Sequence, residues 1–243
     1  QANAAKQDFL SSMSHYIRTP MNAIIGMTAL AADNTHNPEQ VQDYLGKIAL
    51  SSKHLLGLIN DVLDISKIES GKMTLNVEPV SLREVMESIV NIVQPQVKAK
   101  NQRFNAAAYD ILSEQVYCDS VRLNQVLINL LGNAVKFTPE EGSVQVTVYQ
   151  EPEEGGRVRT HFLVQDTGIG MSKEYQKEIF DSFSREDNTR VRKTEGSGLG
   201  MAITKCIVDA MDGDISVRSE QGKGSEFHVV LNLELSADHA HDA

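Results

Sequence analysis

Over the first seventy residues, apolar and polar positions recur at helical spacing. From Ala2 to Ala32 only Pro20 and Gly26 interrupt a helix-compatible run. The stretch Asp33-Asn34-Thr35-His36-Asn37-Pro38 is turn chemistry, and Pro38-Glu39 suits the first turn of a second helix. Along that second helix Leu45, Ile48, Ser52, Leu55, Ile59, Val62, Ser66 and Glu69 alternate steps of three and four, the heptad of a supercoiled helix pair. Leu56, Leu63 and Ile65 widen the stripe beyond a simple seam. A hairpin cannot bury so wide a stripe alone, so two copies are expected to associate as a homodimeric four-helix bundle. Packing against the chain's own second domain is the alternative, and the length and regularity of the seam argue against it. Gly71 is the expected stop of the second helix.

Beyond residue 72 the pattern becomes mixed. Leu75–Val80 reads as extended. Ser81 with Glu84 three residues on is a capping box that opens a helix to about Lys100. Helical spacing returns over Val121–Val135 and Gly200–Met211, the latter ended by Asp212-Gly213. Alternation predicts strands at Ser143–Tyr149, Val158–Gln165, Asp214–Ser219 and Ser225–Leu233. The expected organisation is a helical domain over 1–72, a linker over 73–79, an α/β domain over 80–235 and a disordered polar tail over 236–243.

Composition narrows the function. The 243 residues are 41% hydrophobic and 23% charged, enough for real cores and too apolar for a disordered chain. The net charge of -10 argues against a nucleic-acid partner, whose phosphates need a Lys/Arg surface. A single nucleotide needs only a few placed donors. Cys118 and Cys206 lie far apart in no metal-like spacing and read as reduced thiols. No apolar run approaches the roughly 20 residues that span a membrane.

Candidate chemistry sits in the second domain. Asp166-Thr-Gly168-Ile-Gly170, Gly196-Ser-Gly198-Leu199-Gly200 and Gly222-Lys-Gly224-Ser225 are each weak signals alone, since most glycine pairs are turns. The middle one precedes an apolar helix whose N-terminus offers amides and a positive dipole end to phosphate. None has Walker or dinucleotide-fold spacing. Upstream, Asn129, Asn133 and Lys136 share one face of an otherwise apolar helix. Asn carbonyl oxygens suit Mg²⁺, and Lys suits phosphate oxygens.

In this order the motifs, with Phe180-Asp-Ser-Phe183, resemble the N, G1, F, G2 and G3 boxes of histidine kinase ATP-binding domains. These belong with the gyrase, chaperone and mismatch-repair ATPases. The segment Phe9-Leu-Ser-Ser-Met-Ser-His15-Tyr-Ile-Arg-Thr-Pro20 resembles the phosphoacceptor box of the same kinases, hybrid bacterial types included. The resemblance implies a helical hairpin followed by an α/β sandwich that binds ATP and Mg²⁺. It implies Mg²⁺ at Asn133, with Asn129 close by. Asn129 stands where hydrolysing relatives carry a water-activating Glu, and an amide cannot act as that base. Lys136 would reach the phosphates and Asp166 the adenine amino group. Gly168 and Gly170 would shape the adenine wall. Phe180 and Phe183 would pack under a lid of about residues 184–198 that carries Arg185, Arg190 and Arg192. Gly196, Gly198, Leu199 and Gly200 would hold the phosphates, and Gly224 and Ser225 join the nucleotide-binding set. The implied setting is a cytoplasmic fragment of a protein anchored in the bacterial inner membrane.

His15 is the implied phosphate acceptor, with Thr19 on the same face where the family aligns a water for dephosphorylating its response regulator. The family usually places an acidic residue after the His to orient the ring. Here that residue is Tyr16, a far poorer base, and no acidic residue lies between it and Asp33. The implied activity is autophosphorylation of His15 and transfer to an Asp of a response-regulator receiver domain, weakened by Tyr16. The alternatives are a kinase-impaired module that binds nucleotide and a partner kinase, or one acting mainly as a phosphatase. A hydrolysing ATPase is disfavoured by Asn129.

Overall fold

The computed structural model describes residues 2–71, 73–181 and 198–236. The chain forms two compact units, residues 1–72 and 73–243. In the first, helix α1 (Ala2–Asp33) runs through Pro20. Helix α2 (Pro38–Glu69) starts where Asn37, in extended backbone, accepts the amide of Gln40, with Pro38 needing no acceptor. It stops before Gly71, whose φ of +64° suits a residue without Cβ.

The inward seam of α2 differs from the expected one. It runs Val41, Tyr44, Ile48, Ser51, Leu55, Leu58, Val62, Ile65, all half-buried or buried. Only Ile48, Leu55 and Val62 are shared with the predicted seam. Leu45 and Ile59 remain 55% and 40% exposed. The apolar stripe is wide enough to hold two seams, and α1 covers only one. Met21, Ile25, Leu56 and Leu63 are likewise exposed.

The second unit is a seven-stranded sheet with helices against one face. In chain order its strands are β1 (Glu78–Ser81), β2 (Arg103–Tyr109), β3 (Gln115–Cys118), β4 (Ser143–Glu153), β5 (Arg157–Asp166), β6 (Asp214–Glu220) and β7 (Gly224–Leu235). They lie in the order β1-β3-β7-β5-β4-β2, with β6 also beside β7. Among the described strands only β2 and β4 pair in parallel. The strands β2 and β3 are not among those predicted from the sequence. Edge strand β2 reads Arg-Phe-Asn-Ala-Ala-Ala-Tyr, without a β-branched residue, and β3 has only four residues. The stretch expected as a linker ends inside β1. Ser236, expected in the tail, is buried, and its amide bonds the carbonyl of Gln115.

Helices α3 (Leu82–Ala99), α4 (Ser120–Phe137) and α6 (Gly200–Ala210) supply the other half of the core, and a short α5 (Lys173–Glu178) lies at its rim. Ser81 caps α3 by accepting the amide of Glu84, as its spacing predicts. Asp119 caps α4 through the amide of Arg122. Ile89, Leu127, Leu131, Ile203 and Ile207 of the helices and Val146, Phe162, Val164, Val229 and Leu231 of the central strands are all buried in this core. Each such side chain contributes about 1.5–3 kcal/mol by leaving water. No described helix is long and apolar enough to cross a membrane.

Phe162, with 0% exposure on the central strand β5, anchors this core. Truncating Phe162→Ala is expected to cost about 3–5 kcal/mol in urea unfolding. Val121→Ala, at a side chain 71% exposed, is expected to stay within about 0.5 kcal/mol.

Candidate functional site

At the C-terminal end of β5 the chain leaves the sheet through Asp166-Thr167-Gly168-Ile169-Gly170 and crosses the turn between β6 and β7. The amide of Gly222 donates to the carbonyl of Ile169 at 2.7 Å, and that of Met171 to Ser219 Oγ at 2.8 Å. The approach is close enough to exclude side chains. A Cβ on Gly170 would lie 1.9 Å from the Glu220 carbonyl oxygen, and one on Gly224 1.9 Å from that of Asp166. Both glycines also have positive φ. Two motifs distant in sequence thus interlock, and they form the floor of a cleft.

The cleft encloses about 540 Å³, part of it open to solvent. Helix α4 contributes Asn133, Ala134 and Phe137. The β5 exit contributes Asp166, Ile169, Gly170 and Met171. Tyr175 and Ile179 close it from the α5 side, Met201 from α6, and Ser225 and Phe227 from β7. Among the residues expected from the sequence, Asn133, Asp166, Gly170 and Ser225 therefore share one cavity. Its apolar walls went unread, although Met171, Tyr175 and Ile179 stand at i, i+4 and i+8, the spacing of one helix face.

Asp166 supplies the cleft's polar end. Its Oδ1 accepts the Gly168 amide at 2.8 Å, and the Ser225 amide also bonds the carboxyl. Burial dominates these two donors and pushes the group up to about 6. Its oxygens are acceptors at the edge of an apolar cavity. That suits an amino group on a flat heterocycle.

The remaining expected residues surround the cleft. A Cβ on Gly168 would lie 2.7 Å from the carbonyl oxygen of Phe137, so glycine lets this turn sit on the end of α4. Asn133 Nδ2 lies 3.2 Å from Met201 Sδ, leaving its carbonyl oxygen as the group to offer a cation. Asn129, one turn earlier, points into the helix contact. Its Nδ2 donates to the Gly200 carbonyl at 3.0 Å and to Thr204 Oγ1 at 3.2 Å, tying α4 to the start of α6. Lys136 Nζ lies 5.0 Å from the ring centroid of Phe137 on the cleft wall. Gly198 has a φ of +71°, Leu199 is fully buried and Gly200 opens α6. Phe180 is half-buried after α5. Phe183, Gly196 and the expected lid arginines Arg185, Arg190 and Arg192 lie outside the described residues.

In the helical unit His15 and Thr19 are exposed, one turn apart on the outer face of α1, while Met13 and Pro20 are buried. Thr19 Oγ1 donates to the His15 carbonyl at 3.2 Å. The half-buried Tyr16 sets its ring edge-on to that of His15, with centroids 6.1 Å apart.

Comparison with known proteins agrees with both halves. Residues 5–71 match the His Kinase A (phospho-acceptor) domain. Residues 118–235 match the family described as histidine kinase-, DNA gyrase B- and HSP90-like ATPase. Sensor histidine kinase GacS of Pseudomonas protegens is 40% identical over 242 residues, all of this chain and 26% of that protein. Autoinducer 2 sensor kinase/phosphatase LuxQ of Vibrio parahaemolyticus is 40% identical over 230 residues, 93% of this chain and 26% of that protein. The chain thus spans about a quarter of the length of these relatives. Among solved structures, full-length ShkA in complex with AMPPNP superposes with a TM-score of 0.71 at 33% identity, covering 95% of this chain and 46% of that one. The helical hairpin is thus a His Kinase A (phospho-acceptor) domain and the one-faced sheet belongs to a histidine kinase-, DNA gyrase B- and HSP90-like ATPase domain, the pair that this chain shares with these sensor histidine kinases.

Proposed function

We propose that the chain binds ATP in the cleft between α4 and the β5 exit and transfers the γ-phosphoryl group to His15. Phosphotransfer to an Asp of a response-regulator receiver domain would follow. The observation that carries this reading is Asp166: a largely buried carboxylate at the end of an apolar cavity, in a chain that also presents an exposed histidine in a phosphoacceptor helix. The nucleotide complex of ShkA supports the choice of ligand. In this reading Asp166 accepts the adenine amino group, and the apolar walls take the base. Lys136 and the N-terminus of α6 meet the phosphates. The donor set also fits Mg²⁺, a hard cation that prefers oxygen, through the Asn133 carbonyl. The ion would neutralise phosphate charge, and Asn129 would steady the α6 end of the site.

At His15 a neutral ring nitrogen attacks the γ-phosphorus. The new P–N bond forms as the bond to the β-γ bridging oxygen breaks and ADP departs. The residue after His15, where the family places the carboxylate that orients such a ring, is Tyr16. We therefore propose an acceptor that is accessible but under-activated. Two copies joined through the uncovered seam of α2 complete the proposal, since Leu45, Leu56, Ile59 and Leu63 are exposed on one face of it. A phosphatase-weighted balance is the second reading. It is favoured by Thr19, exposed one turn from His15, and by the kinase/phosphatase name of LuxQ.

Incubation with labelled ATP is expected to give acid-labile phosphate on the chain, lost in His15→Ala. Tyr16→Glu is expected to raise the initial rate by about 10–100-fold. No gain would sink the under-activation reading, and labelling that survives His15→Ala would sink the assignment of the acceptor.

Asp166→Asn should separate stability from binding. The folded-state value of about 6 stands above the ordinary 3.8, so the folded chain holds this proton more tightly than the unfolded one. That stabilising contribution is present below about pH 4 and is lost as pH rises to about 6. Near neutral pH the amide is expected to stabilise the nucleotide-free chain by on the order of 1–3 kcal/mol, a gain that vanishes at low pH. Its ATP affinity is expected to fall by at least about ten-fold. Chemical denaturation across pH and nucleotide titration measure the two effects.

A further inference from the structure

The C-terminal turn of α4 ends without the glycine cap that most often satisfies a helix terminus. Thr138, the residue after it, is extended, with ψ of 131°. Its last carbonyls are met instead by side chains from the end of α3. Lys100 Nζ donates to the carbonyls of Val135 at 2.8 Å, Lys136 at 3.0 Å and Thr138 at 2.8 Å. Gln102 Nε2 adds donations to Val135 at 3.0 Å and Thr138 at 2.7 Å. The backbone between them is set by Asn101, whose φ of +50° turns the chain so that the Gln102 amide returns to the Val97 carbonyl. Burial lowers the proton affinity of Lys100, and Glu140 opposes that effect. The ammonium is thus partly removed from water and directed at three carbonyls at the negative end of a helix.

That same turn carries two walls of the cleft. Asn133, Ala134 and Phe137 line it directly. The carbonyl of Phe137 accepts the Ile169 amide at 3.2 Å, and Gly168 packs onto the same oxygen. The Asp166–Met171 segment is therefore referenced to the end of α4 as well as to the β6–β7 turn.

We infer that Lys100 is a positioning residue for the nucleotide: its ammonium clamps the last turn of α4 and so keeps the α4 wall and the Asp166–Met171 wall at the separation a purine nucleotide requires. Gln102 is the neutral half of the same clamp. The inference rests on the nucleotide-binding reading of the cleft. Lys100 itself lines no part of the cavity, so its effect passes through the carbonyls it holds.

The test is titration of the 243-residue chain with AMPPNP and Mg²⁺, at a temperature well below the melting transition of every variant, alongside melting curves without nucleotide. Lys100→Met is expected to weaken binding by on the order of ten-fold. Lys100→Arg, which keeps charge and donors, is expected to recover most of that loss. Gln102→Ala is expected to cost about three-fold and carries the test if Lys100→Met does not fold. Folded variants that melt earlier yet bind AMPPNP with unchanged affinity would overturn the inference and leave Lys100 a helix cap alone. Absence of binding to the wild-type chain would overturn the nucleotide reading itself and the inference with it. Wild-type binding with indifferent variants removes only the latter.

Discussion

Backbone meets backbone where the exit of β5 crosses the turn between β6 and β7, and the ATP-binding unit is arranged around that contact. Gly170 faces the Glu220 carbonyl and Gly224 faces that of Asp166, each at a separation no Cβ tolerates. The contact fixes where Asp166 ends the strand and how its carboxyl receives the Gly168 and Ser225 amides. It also sets the direction in which Ile169 and Met171 enter the cleft. The other anchor is the end of α4, whose Phe137 carbonyl takes the Ile169 amide. Between these two supports the segment has little freedom, and a cavity can be preformed without ligand.

A preformed cavity with a carboxylate at its end carries a cost. Asp166 is burdened by desolvation that two amides do not offset, and the fold tolerates this because the surrounding core is dense. Phe162, Val164 and Val229 are buried beside the strand end that carries it. The polar atoms around the cleft are largely committed. Asn129 holds α6, and Asn133 spends its donor half on Met201. Among the described residues the cleft offers the Asp166 carboxylate and the Asn133 amide oxygen within mostly apolar walls.

The helical unit follows the opposite logic. Its interior needs only one of the two seams on α2, and the second stays in water. His15 and Thr19 lie on the solvent side of α1, in the same one-turn relation that the helical repeat dictates. On the proposed reading, exposure suits a histidine that would meet a nucleotide and then a partner domain.

Much of this was legible in the chain alone. The two long helices, the capping box at Ser81, the strands with strict alternation and the order of the glycine motifs follow from local rules that act within a few residues. Of the cavity-forming subset, Asn133 follows from residue type and helical spacing, whereas Asp166, Gly170 and Ser225 follow from the resemblance of their motifs to the histidine kinase boxes. Tertiary structure decided the rest. The edge strand β2 has no alternation to read, because its exposed face asks little of its side chains. The choice between two overlapping seams on α2 depends on where α1 lies, which no spacing within α2 encodes. The interlock of Gly170 with the β6–β7 turn and the hold of Lys100 on α4 join residues tens of positions apart. Local pattern specifies which face of an element is buried; only packing specifies what it is buried against.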